Sequence, residues 1–95
     1  MPFNNHGNRA FTFHSIGNNA PIASGVYGLS NAAGWIYVGE SDNIQGQLLR
    51  HLRSEDAIRH ASGFTFELCP SEHRIARQNQ LVVELEPIVN RRAAS

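Results

Sequence analysis

Two tyrosines, each tied to a glycine, carry the chemical interest of this chain: Gly25-Val26-Tyr27 and, ten residues on, Tyr37-Val38-Gly39. His51 follows, with a basic set that is all arginine, eight residues and no lysine. The planar arginine fork suits bidentate contact with phosphate or carboxylate. Arg50 lies three residues after the amide Gln47, on nearly the same helix face, and Arg74 lies four before the amide Gln78. Other chemistries fall away. His6, His14, His60 and His73 show no metal-ligand spacing, so no zinc site is expected. Cys69 is the single cysteine, which excludes an internal disulfide and reads as a small core residue rather than a nucleophile. A formal net charge of +0 argues against strong nonspecific nucleic-acid binding, because phosphate contacts need a surplus of cations somewhere.

The elements that must hold these groups are short, and 95 residues suit one domain with a modest core. IASGVYGLS and WIYVGES are two apolar runs joined by the turn signal NAAG, and they read as a β-hairpin. Asp42 or Asn43 can cap the next helix, IQGQLLRHLRS, on which Ile44, Leu48, Leu49 and Leu52 recur at helical spacing. Gly46 inside it should cost about 1 kcal/mol relative to Ala and calls for a close contact or a weak turn. EDAIRHASG reads as a connecting loop with a helical turn, and FTFELC as a third strand. A second helix starts at Ser71 and stops at Pro87, with Ile75, Asn79, Val82 and Val83 or Glu86 marking one side. The alternation of RAFTFHSI allows a short extra strand ahead of the hairpin, after a loose, polar N-terminus. Trp35 is expected in the core or as an aromatic plug. No apolar run approaches bilayer length and MPFNNHGNRA has no apolar signal core, so a cytoplasmic location is expected.

Taken together, Gly25-Val26-Tyr27, Tyr37-Val38-Gly39, ESDNIQGQLLRHL and the closing ELEPIVN resemble the GIY-YIG nuclease domain. The resemblance runs over most of the chain. It implies an N-terminal segment over 1–21, partly loose, a GIY-YIG-like domain over 22–90 and a tail over 91–95. The implied class is α+β: a small three-stranded antiparallel sheet flanked by helices, in the order β-β-α-β-α, which agrees with the elements above. The implied activity is metal-dependent hydrolysis of a DNA phosphodiester with Mg²⁺ or Mn²⁺. Tyr27 matches the tyrosine that helps activate the attacking water, Tyr37 the one that lines the site, and His51 a position near the phosphate. Asn90 matches a residue that closes the domain by bonding to backbone.

Two positions depart from the family pattern. The helix arginine that neutralises the phosphate falls on Gln47, and the glutamate that holds the cation falls on Gln78. An amide cannot carry the charge that such electrostatic stabilisation needs, and a hard cation wants anionic oxygen ligands. The expectation is therefore a GIY-YIG-like domain that is catalytically impaired and needs no cofactor, binding DNA weakly through Arg50 and Arg74, or binding a protein partner. The rival expectation is an active metal-dependent endonuclease in which Arg50 serves as substitute. Tyr27, Tyr37, Gln47 and Gln78 are expected to share one face of the sheet.

Overall fold

The hairpin around the two tyrosines forms the centre of the molecule. In the computed structural model, which describes residues 8–53 and 60–90, β2 (Gly25–Asn31) and β3 (Gly34–Ser41) pair antiparallel with Tyr27 opposite Gly39 and Leu29 opposite Tyr37. Asn31 closes the turn, its Oδ1 accepting from the Ala33 N–H at 2.9 Å, and Gly34 takes φ +138°, where a side chain is strained. On its other edge β2 pairs with β4 (Gly63–Leu68), also antiparallel. β4 in turn carries β1 (Arg9–Ala10), so the sheet has four strands in the order β1-β4-β2-β3 rather than the three expected.

The N-terminal segment holds the main difference from expectation. Only Arg9 and Ala10 of the alternating stretch form a strand, and α1 (Phe13–Asn19) follows at once. Thr12 sets the switch: its Oγ1 accepts from the Ser15 N–H at 3.2 Å, an N-cap. Phe11 and Phe13, which a strand continued through RAFTFHSI would put on one face, separate; Phe11 is buried and Phe13 is 65% exposed. Phe11, Ile16 and Ala20 then join the main core, so residues 9–20 pack with the sheet.

Strand alternation divides the interior in two. Tyr27, Leu29, Phe64 and Phe66 point to one face, under α1 and α2 (Ile44–Leu52). Val26 and Val38 point to the other, under Leu81 of α3 (Arg74–Leu85), with Trp35, Val82 and Leu85 beside them. Trp35 thus packs half-buried against the second cluster. Ser71 opens a short 3₁₀ turn over Ser71–His73 instead of capping α3, which has no side-chain cap. Glu86 ends α3 in the left-handed region at φ 48°, directly before Pro87. Most of the loop expected over 55–63 lies outside the described residues. Among the described residues no helix is long and apolar enough to cross a membrane.

Asn43 caps α2, its Oδ1 accepting from the Gly46 N–H at 2.9 Å. A Cβ on Gly46 would stand 2.8 Å from Asn43 Nδ2, so the cap supplies the close contact that this helix glycine requires. Gly46→Ala is therefore expected to fall short of the gain of about 1 kcal/mol usual in a helix. In an Asn43→Ala background, already weakened by about 1 kcal/mol, the same change should recover that gain. Urea denaturation of the four proteins measures the coupling.

Candidate functional site

Tyr27 and Tyr37 are diagonal neighbours across β2 and β3, with ring centroids 6.1 Å apart. α2 lies across the same face and brings His51 against both rings, at 5.5 Å from Tyr27 and 5.3 Å from Tyr37. The Tyr27 hydroxyl and His51 Nε2 are 2.6 Å apart. Gln47, one helical turn before His51, lies close enough to the Tyr27 hydroxyl to act on its protonation, as does Tyr37. Four of the residues singled out from sequence, Tyr27, Tyr37, Gln47 and His51, thus meet at one place.

Gly39 explains how β3 admits the Tyr27 ring. A Cβ there would stand 2.5 Å from the Tyr27 hydroxyl oxygen, 2.6 Å from its Cζ and 2.8 Å from Tyr37 Cε2. Only a residue without a side chain leaves the phenol this room. Tyr27 is 1% exposed. Burial first, then Tyr37 and the Glu40 carboxylate, push its phenol far above the ordinary 10.0, against a smaller opposing effect of Gln47. Tyr27 therefore stays a neutral hydroxyl at neutral pH, and in the His51 tautomer that carries its proton on Nδ1 the phenol donates to Nε2. The pair can pass a proton from Tyr27 to His51, but no phenolate is stored.

The raised pKa has a stability consequence. The folded chain holds the Tyr27 proton where the unfolded chain, at 10.0, releases it. That contribution is complete below pH 10 and is lost as pH rises above it, with a slope of about 1.4 kcal/mol per pH unit. Urea midpoints measured up the alkaline range should fall for the parent and fall less steeply for Tyr27→Phe.

Arg74 is placed differently from its expected role at a phosphate. Its Nε donates to Glu40 Oε1 at 2.8 Å and its Nη1 to Ser24 Oγ at 3.1 Å, while Ser24 Oγ donates to the Cys69 carbonyl at 2.6 Å. Arg77 grips Glu67 in bidentate fashion at 2.8 and 2.9 Å. Both arginines of α3 thus point inward, joining α3 to the ends of β3 and β4. Burial and the Glu67 carboxylate push the Cys69 thiol up, which suits an inert thiol. Ser24 and Glu67 have no motif to mark them; only the strand pairing brings them to α3. Arg50 and Arg53 are exposed at the end of α2. Gln78 does not join the tyrosine cluster's face: its helix covers the opposite side of the sheet, against Val26 and Val38. The shared face expected for Gln47 and Gln78 is corrected accordingly. Alternation along β3 turns Tyr37 and Val38 to opposite sides, and α3 packs on the Val38 side.

At the far end Asn90 completes the edge strand. Its Oδ1 accepts from the Val38 N–H at 2.7 Å and its Nδ2 donates to the Val38 carbonyl at 3.0 Å. One side chain thereby satisfies both outward backbone groups of a buried residue on an open edge.

No family model matches this chain, and no curated protein does. Among solved structures it is similar to the GIY-YIG N-terminal endonuclease domain of UvrC from Thermotoga maritima. The magnesium-bound form aligns with a TM-score of 0.64 at 21% identity, covering 74% of this chain and 85% of that one. An asparagine-to-alanine point mutant of the same domain, bound to its catalytic divalent cation, aligns at 0.64 and 21%, covering 74% and 84%. A tyrosine-to-phenylalanine point mutant aligns at 0.64 and 20%, covering 74% and 85%. The residues of this chain do not suit such a cation. Gln78 offers a neutral amide, the Glu40 carboxylate is held by Arg74, and among the described residues no three His, Cys, Asp or Glu side chains converge.

Proposed function

We propose that this chain, whose fold is that of the GIY-YIG endonuclease domain, binds a DNA phosphate backbone beside Tyr37 and His51 without cleaving it. The observation that carries the reading is Gln47 beside the Tyr27 hydroxyl, where resemblance to the nucleases calls for arginine. The Tyr27–His51 pair keeps the means to move a proton, and a positioned acid or base contributes typically 10²- to 10⁴-fold. Phosphate ester hydrolysis is so slow unaided that enzymes supply far more than this. The missing part is charge stabilisation of the phosphate, usually the largest single contribution. Arg50 and Arg53, exposed next to His51, supply the cations for binding, while Arg74 remains with Glu40.

Anisotropy titrations with a labelled duplex over a range of salt test the binding half. Affinity should be weak, with a salt slope of about two phosphate contacts. Arg50→Ala with Arg53→Ala should abolish most of that slope, and Arg74→Ala should leave it unchanged. Plasmid nicking with Mg²⁺ and with Mn²⁺ tests the other half, and no nicking above background is expected. Turnover sensitive to EDTA and to Tyr27→Phe would overturn the non-cleaving reading. Failure to bind at low salt would overturn the DNA reading.

A further inference from the structure

α3 turns two of its aliphatic residues away from the sheet. Ile75 and Val83 are 66% and 79% exposed, and with Asn79 they form one row at i, i+4 and i+8. This is the side that periodicity marks as apolar, yet the core side is taken by Leu81, Val82 and Leu85, flanked by the inward arginines. Drawing Arg74 and Arg77 inward leaves the outer surface of α3 rich in carboxylates. Glu72 and Glu86 stand exposed beyond the two ends of the row, with Glu84 exposed to one side. Among the described residues neither Glu72 nor Glu86 stands in an ion pair. Single exposed aliphatics are ordinary; an aligned row with a carboxylate beyond each end is a pattern. β-branched residues also lower helix propensity, so a face meeting only water would be better served by Ala, Gln or Glu at both positions.

We infer that the outer face of α3 docks a protein segment that is both apolar and basic: an amphipathic helix presenting aliphatic side chains to Ile75 and Val83, with Lys or Arg reaching Glu72 and Glu86. Charge selects this occupant. A second copy laid antiparallel and centred on Asn79 would set Ile75 against Val83. It would also bring the Glu72 end of one helix to the Glu86 end of the other, and like charges oppose that arrangement. The same carboxylates repel a nucleic-acid backbone. This docking face lies on the opposite side of the sheet from the tyrosine cluster and does not depend on what that cluster does.

The test titrates the full chain with a short helical peptide of leucine and lysine in amphipathic register, beside its scrambled isomer. Binding is read by anisotropy and mapped by backbone amide shifts. Shifts should centre on residues 72–86. Ile75→Ser with Val83→Ser, both at exposed positions that leave the fold intact, should weaken binding by about tenfold or more. Glu72→Gln with Glu86→Gln should reduce its salt dependence. No binding, shifts centred elsewhere, or equal binding by the serine variant overturns the inference. A dimer in sedimentation that the serine pair dissolves also overturns it, in favour of self-association.

Discussion

Gly39→Ala is expected to destabilise the fold by about 3 kcal/mol, the upper part of the usual range for overpacking, and to dislodge Tyr27 from His51. The cost is spatial. Gly39 lacks the positive φ of Gly34, so its backbone would accept alanine. The added methyl would instead meet the Tyr27 hydroxyl oxygen, Tyr27 Cζ and Tyr37 Cε2, all within 2.8 Å. Tyr27 cannot retreat, because α2 and the main core close over it. The ring must therefore tilt, breaking the 2.6 Å contact with His51. Urea denaturation gives the loss, and the His51 ring resonances report the broken contact. In a Tyr27→Leu background, which removes the phenol end, the cost of Gly39→Ala should fall by more than half, a coupling that independent sites would not show. Parental stability of Gly39→Ala would mean that the phenol does not lie over β3 as described.

The hairpin, α2 and its Asn43 cap, β4 and the ending at Pro87 were legible because each rests on a local rule: turn residues, alternation, a capping side chain, a proline. The neighbourhood of Tyr27, Tyr37, Gln47 and His51 was implied by the resemblance; strand pairing alone sets the two tyrosines side by side, and one helical turn sets Gln47 beside His51. α1 was not, because Phe11 and Phe13 imitate strand alternation while the deciding feature is one hydroxyl, Thr12 Oγ1, bonding to the Ser15 amide. The inward face of α3 was not legible either. Ile75 and Val83 gave it an apolar period, but Glu40 and Glu67 captured Arg74 and Arg77 from strands that only the tertiary fold brings near. Ion pairs between residues 34 and 10 positions apart leave no periodic trace, yet the two together set which side of a helix meets the sheet.

Those ion pairs also bear on what it would take to give this domain a cation. Gln78→Glu alone is expected to gain almost nothing in Mn²⁺ affinity. The new carboxylate would stand one turn from Arg74, which would neutralise it as it already neutralises Glu40 at 2.8 Å. Adding Arg74→Ala removes the competing cation and frees Glu40, so that two carboxylates serve the space between α3 and the end of β3. The combined variant should bind Mn²⁺ with a Kd of about 10⁻⁴–10⁻³ M, as expected for a site with few charged ligands. The Arg74–Glu40 pair is partly exposed, at 19% and 29%, so its loss should cost only about 1 kcal/mol. Metal at a hundred times its Kd should return about 2.7 kcal/mol. The combined variant should therefore be less stable than the parent in EDTA and more stable in excess Mn²⁺, a reversal that calorimetry and thermal denaturation both detect. Because α3 packs on the side of the sheet opposite Tyr27, a cation held there is not expected to bring plasmid nicking, with or without Gln47→Arg. If the combined variant gained no affinity for Mn²⁺, residues 40 and 78 would not face one space between α3 and the end of β3.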